Sequence, residues 1–243
     1  MDAAGLDLHV RQRVTTDRTT PCVLLHGLAV SHRYLMPTAR HLDGRSVFVP
    51  DLPGFGLSAR LRTIVDVGGH AATIAALLDR LGTGPAALVG HSFGCQVAVE
   101  LATRRPDLVT SLVLVGPTTD PTAATSTAQL RRLARDLLHD DWRQTPILAA
   151  DIRDAGPRRI LRTLRHAVTD RIDAKLPTIR VPVLLVRGGL DPITPAAWLE
   201  RAASITPYAR TLTIDGAAHN AATTAGPRLA AAIRTHLGAD HPA

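Results

Sequence analysis

Aromatic side chains are scarce in this 243-residue chain: three Phe, two Tyr and two Trp make up 3% of it. Basic surfaces that bind single-stranded nucleic acid pair their cations with rings that stack on bases, and those that bind duplexes gather them into a patch or stripe. Here the charge of +7 and the pI near 10.8 come from arginines scattered between Arg11 and Arg234, with only doublets such as Arg104-Arg105, Arg131-Arg132 and Arg158-Arg159. Solvated faces account for them, and no nucleic-acid partner is expected. Lysine is nearly missing: Lys175 is the only one among the 28 basic residues, which with abundant Ala and Thr points to a GC-rich coding sequence rather than to an activity. Two cysteines, Cys22 and Cys95, allow at most one bridge and read better as small buried hydrophobes. No apolar run approaches the roughly 18 residues of a membrane span. The start, Met1-Asp2-Ala3-Ala4-Gly5-Leu6-Asp7, has an early acid and no hydrophobic stretch, so no secretion signal and a cytoplasmic address are expected. No His, Cys, Asp and Glu set has metal-ligand spacing, so neither metal nor cofactor is expected.

What is present is a rhythm. Short aliphatic runs recur at Leu6 to Val14, Cys22 to Leu25, Ser46 to Val49, Ala86 to Val89, Leu112 to Val115, Val183 to Val186 and Thr211 to Ile214. Several are apolar throughout, as strands of a parallel sheet covered on both faces must be. Between them lie segments of helical spacing, such as Val67, Ala71, Ile74, Leu77, Leu78 and Leu81, stopped by Gly82. The alternation predicts a doubly wound α/β domain. About sixty residues separate Val115 from the next strand near Val181, which is too long for a connection and implies an insertion. Leu130, Leu133, Leu137 and Leu138, then Ile160, Leu161 and Leu164, give it helical spacing, with breakers at Pro146, Gly156-Pro157 and Pro177. Residues 118–178 are therefore expected as a small helical cap on a core of 1–117 and 179–243. The cap carries eleven Arg or Lys against eight Asp or Glu, a net of +3, so it is not exceptionally basic.

Gly90-His91-Ser92-Phe93-Gly94 stands between an apolar strand and a helical segment. A serine on so tight a strand-to-helix turn projects its hydroxyl from the sheet, and flanking glycines let the two backbones pass. A hydroxyl is a weak nucleophile until a base takes its proton and a third group orients that base. Val183-Leu184-Leu185-Val186 runs into a loop holding Asp191, and Leu212-Thr213-Ile214 into a loop holding His219. Both loops open on the sheet edge where Ser92 lies, in the chain order Ser, Asp, His. Taken alone, Asp191 before Pro192 reads as a turn former, and Asp120, which follows the preceding strand, is a second candidate for the acid. His26, His91, His166 and His236 are rival bases. Donors for an oxyanion are expected from the backbone N–H groups of Phe93 and of Leu28, the latter in the turn His26-Gly27-Leu28-Ala29 after an early strand. His26 itself reads as a structural histidine that hydrogen-bonds that loop.

Together these segments resemble the α/β-hydrolase superfamily: His26-Gly27, Asp51-Leu52-Pro53-Gly54-Phe55-Gly56-Leu57-Ser58, the elbow around Ser92, Gly188-Gly189-Leu190-Asp191-Pro192-Ile193, and His219. The resemblance implies a mostly parallel eight-stranded sheet with a cap inserted after the sixth strand, and a loop at Asp51 to Ser58 that shapes rather than reacts. A serine nucleophile sets the chain apart from similar branches that attack with aspartate, the epoxide hydrolases and haloalkane dehalogenases.

The expected chemistry is acyl transfer to Ser92, with His219 as base held by Asp191, from an ester, thioester or lactone of a small to medium acyl group. A small-molecule acyl substrate is the expected partner. Carbon–carbon bond hydrolases resemble the chain in size and cap but usually carry Gly-Asn-Ser where it has Gly90-His91-Ser92, and an aromatic residue where it has Asn220. Non-hydrolytic biosynthetic catalysis and ligand reception with an intact triad are the other readings. Trp142, Leu130, Leu133 and Ile147 are candidates to line an apolar pocket, and Arg131 or Arg135 to hold an acidic group, though core packing and solvent explain them as well.

Overall fold

The computed structural model describes residues 1–3, 5–137 and 144–238. Among them, seven strands form one sheet: β1 (Val10–Arg13), β2 (Cys22–Leu25), β3 (Val47–Pro50), β4 (Ala86–His91), β5 (Val109–Val115), β6 (Val183–Gly188) and β7 (Ala209–Ile214). Their spatial order is β1-β3-β2-β4-β5-β6-β7, parallel except for β1, which pairs antiparallel with β3. The central strands β2 and β4 are buried at every residue, as their unbroken apolar runs require. The edges differ. β1 reads Val-Arg-Gln-Arg and is largely exposed, so charged side chains guard its free backbone against further pairing.

The sheet has seven strands where eight were expected, and the insertion follows its fifth strand rather than a sixth. The run Leu6 to Val14 does not form one strand. Asp2–Ala3 and Leu6–Asp7 close on each other as a separate antiparallel ribbon, extended by Leu8 N–H donating to the Met1 carbonyl and the Met1 ammonium donating to the Leu8 carbonyl, both at 2.7 Å. His9 N–H then donates to Ser58 Oγ, and its carbonyl accepts from Asp51 N–H.

Helices cover both faces. α1 (His32–Ala39), α9 (Ala221–Thr224) and α10 (Gly226–Gly238) pack with Cys22, Leu24, Val49, Val113 and Val186 on one side; α2 (Val67–Leu81), α3 (Phe93–Arg104) and α8 (Ala196–Ile205) pack with Val23, Leu88, Leu112 and Leu185 on the other. α2 has the limits its sequence predicts: the Asp66 carboxylate accepts from Gly69 N–H at its start, and Gly82 ends it in the left-handed region at φ 60°. Between β5 and β6 run α4 (Ser126–Asp136), α5 (Thr145–Ala155), α6 (Pro157–Thr169) and α7 (Ile172–Lys175). The predicted breakers act at their boundaries: Pro146 lies in the first turn of α5, Gly156 separates α5 from α6 at φ 78°, and Pro157 opens α6. Both cysteines are free and fully buried. No described helix is long and apolar enough to cross a membrane.

His70 of α2 is buried against Phe55 and Phe93, with neither ring nitrogen partnered among the described residues. Burial pushes its pKa from 6.5 down to about 3. The folded ring stays neutral while the unfolded chain takes up a proton below pH 6.5, so its contribution is intact above that pH and lost as pH falls toward 3. We expect the urea midpoint of the wild type to drop between pH 6.5 and 4.5, and His70→Leu to drop less. An unchanged slope in the variant would remove His70 as the cause.

Candidate active site

Strand β4 ends at His91 and α3 begins at Phe93, leaving Ser92 alone to turn the chain. It does so at φ 53°, ψ −117°, one of two described non-glycine residues with positive φ. Such backbone costs on the order of 1–3 kcal/mol and persists only where surrounding structure enforces it. The enforcement is visible. A Cβ at Gly90 would lie 2.6 Å from the Gly94 carbonyl oxygen, and one at Gly94 would lie 2.2 Å from that of Leu25. Ser92 N–H donates to the Val115 carbonyl at 2.8 Å, and its side chain makes no capping hydrogen bond.

Asp191 and His219 meet on the same sheet edge. The Nδ1 of His219 and Oδ2 of Asp191 are 2.9 Å apart, with Asp191 2% and His219 7% exposed. The other carboxylate oxygen accepts from the N–H groups of Ile193 and Thr194 at 2.8 and 2.9 Å. Burial pushes the Asp191 carboxyl up, but the His219 charge and hydrogen bond with those two N–H groups outweigh it, and its pKa lies below the usual value. Asp120 has a different engagement: it accepts from Arg132 Nη2 at 2.7 Å and from Thr122 N–H and Oγ1. Two contributors escaped the sequence reading. Gly116, which follows β5 at φ 59°, gives the pair its room, since a Cβ there would lie 2.8 Å from His219 Cε1 and 3.4 Å from Asp191 Oδ2. Asp136, at the end of α4 in the inserted segment, accepts from His219 N–H at 3.1 Å. A glycine after an apolar run is a signal that the first could have given; the second joins residues 83 apart and has none.

The turn after β2 lies against the elbow. A Cβ at Gly27 would stand 3.1 Å from both Ser92 Cβ and His91 Nδ1, and Ala29 takes φ 63° to complete the turn that carries Leu28. His26 is fully buried and holds this loop, as expected: its Nδ1–H donates to the Gly27 carbonyl at 2.8 Å and its Nε2 accepts from Leu52 N–H at 2.9 Å. Phe93 is the first residue of α3, where a backbone N–H has no intrahelical acceptor. Of the other rival histidines, His91 sits in the elbow itself, while His166 lies on α6 and His236 on α10. His9, His32 and Asp51 bring potential ligand atoms within 4.8 Å of one another, a grouping invisible in sequence spacing. The Asp51 oxygens are already engaged by the backbone N–H and Nδ1 of His32 and by Leu57 N–H, which makes the group a clamp on the Asp51 to Ser58 loop. Of the pocket candidates, Leu130, Leu133 and Ile147 are 48%, 44% and 39% exposed, and Arg131 and Arg135 are exposed. Trp142 lies outside the described residues.

A family model described as alpha/beta hydrolase fold matches residues 20–158, and one described as TAP-like protein matches residues 164–239. Lipase LipV of Mycobacterium tuberculosis is 36% identical over 133 residues, 55% of this chain but only 49% of that lipase. A pimeloyl-[acyl-carrier protein] methyl ester esterase of Xanthomonas oryzae pv. oryzae is 30% identical over 227 residues, covering 81% of this chain and 87% of the esterase. Among solved structures, a thermophilic esterase from Thermogutta terrifontis superposes with a TM-score of 0.81 at 23% identity, over 98% of this chain and 95% of the other, which establishes a shared fold.

Proposed function

The chain belongs to the alpha/beta hydrolase fold family, and from that membership we propose that it is a serine hydrolase of esters, thioesters or lactones with small to medium acyl groups. The observation that carries the reading is the 2.9 Å Asp191–His219 pair, tied through His91 to the strained turn that presents Ser92. Relatives named as a lipase and an ester esterase support the reaction class.

In this mechanism Ser92 Oγ attacks the acyl carbon as His219 Nε2 takes its proton. Asp191 holds Nδ1–H and supports the positive charge that forms on the ring. The backbone N–H groups of Leu28 and Phe93 receive the oxyanion, Phe93 with the favourable dipole of the α3 N-terminus behind it. The protonated His219 gives its proton to the leaving oxygen or sulfur, and water activated by the same ring hydrolyses the acyl-enzyme. Residues 118–178 act as the cap of a core formed by 1–117 and 179–243. Its helix ends reach the base: Asp136 accepts from His219 N–H, and Gln144 Oε1 accepts from Asn220 Nδ2 at 3.4 Å.

A fluorophosphonate probe and a series of p-nitrophenyl esters test this. We expect the wild type to be labelled on Ser92 and to turn over short or medium esters, and Ser92→Ala to do neither. An unlabelled wild type with no turnover would overturn the hydrolase reading, and tight ligand binding without turnover would favour a receptor.

A further inference from the structure

His219 lies in a loop that has far to travel. It follows β7 at the sheet edge, and β6 and β5 separate that strand from β4, which carries the elbow. A loop crossing two strand ends must be fixed where it arrives, because a base displaced by about 1 Å forfeits much of its rate advantage. Among the described residues, three hydrogen bonds hold this one. Asp191 takes the ring, Asp136 takes the backbone N–H, and His91 Nε2 lies 2.9 Å from the His219 carbonyl oxygen. Only the third originates next to the nucleophile.

We propose that His91 is a positioning residue: its Nε2–H, delivered from the elbow to the His219 carbonyl, sets the distance between Ser92 and its base. The inference rests on the reading of Ser92 and His219 as nucleophile and base. A carbonyl only accepts, so Nε2 carries the proton, and Nδ1 is bare in the neutral ring. Nδ1 is buried with no hydrogen-bond partner among the described residues, which offer no acceptor for a second proton. Burial and the neighbouring His219 keep the ring neutral, with its pKa pushed down to about 3. One tautomer is thereby fixed, and His91 remains a donor across the working range.

The ring also has nowhere to swing. It lies between Tyr34, centroid 5.2 Å away, and the His219 ring, centroid 5.1 Å away, and its backbone is paired in register with Val115. A flexible donor would hold the loop less well than a ring mounted on a fully buried strand. Phenylalanine or methionine removes the donor and leaves the His219 carbonyl without it. Glutamine is different, because its amide N–H reaches about as far from the backbone as Nε2.

The test compares wild type with His91→Phe, His91→Met and His91→Gln. Fluorophosphonate labelling rate, kcat and KM on one p-nitrophenyl ester are measured, with the NMR signals of the His219 imidazole. Phe and Met should lower the labelling rate and kcat about tenfold or more with KM within about twofold, and should shift or broaden the His219 Nδ1–H resonance. Gln should recover most of the rate. The inference is overturned if Phe or Met leaves kcat unchanged, or if Gln is as impaired as they are while the His219 signals stay put, which would mean packing alone. Should the wild type resist the probe, the hydrolase reading falls, and the spectra still decide: unmoved His219 signals in the donorless variants would overturn the positioning role too.

Discussion

Asp191→Asn should lower kcat/KM on a good ester by about 10⁴-fold, with folding intact. The size follows from which oxygen is committed. Asp191 Oδ1 accepts two backbone N–H groups, from Ile193 and Thr194, so the asparagine carbonyl oxygen must occupy that position. Its NH₂ group then stands where Oδ2 was, facing His219 Nδ1 across 2.9 Å. An amide donor there forces the ring proton onto Nε2, the nitrogen that accepts from Ser92 in the proposed mechanism. The base is held in place in the wrong tautomer. Because the Asp191 carboxyl sits below its usual pKa, acidification of the wild type toward pH 5 should not protonate it, and the loss in the variant should persist across that range. Asp120→Asn is the control. It weakens the Arg132 pairing and the turn that Asp120 caps, so it should cost stability and leave kcat/KM within severalfold. A drop at Asp120 equal to that at Asp191 would reassign the acid. Comparable activity in Asp191→Asn and wild type would remove Asp191 from the mechanism.

The residues that could be read from sequence are those whose reason for being there is local. Gly82 ends α2 because the chain must turn left-handed where the apolar spacing stops, and Pro146, Gly156 and Pro157 mark helix limits by what they forbid. The elbow was legible for the same reason: strand, turn and helix are contiguous, and only glycines fit two positions to either side of Ser92. Asp191 and His219 were legible one step further, because loops at the carboxyl ends of parallel strands share an edge. What stayed hidden depends on register between distant segments. His91 meets the His219 carbonyl across 128 positions and Asp136 its N–H across 83, and no spacing encodes either. The N-terminal run misled for a related reason. Its apolar residues suit a strand, yet the hydrogen-bond partners offered by Met1 and Ser58 break it into a ribbon and a short edge strand.

Gly94→Ala should destabilise the fold by about 3 kcal/mol or more, although it lies in a helix where alanine is intrinsically favoured by about 1 kcal/mol. The opposing effect is steric. A Cβ at this position would meet the Leu25 carbonyl oxygen at 2.2 Å and that of His26 at 2.8 Å, and both belong to backbone. Leu25 is the last residue of β2, paired with Gly90 of β4, so yielding at one contact disturbs the central ladder of the sheet. It would also move the His26-Gly27-Leu28 turn, and with it the Leu28 N–H proposed as the second oxyanion donor, away from Ser92. Activity should therefore fall by more than the unfolded fraction explains. Gly82→Ala isolates the other cost of replacing glycine, because nothing lies within 4 Å of its added Cβ and only the left-handed φ of 60° is penalised, by about 1 to 2 kcal/mol. Urea midpoints of the two variants, measured side by side, should rank Gly94→Ala well below Gly82→Ala. The reverse order would mean that β2 and α3 can separate by the needed distance, and that the close approach at the elbow is a preference of the sequence and not a requirement of the site.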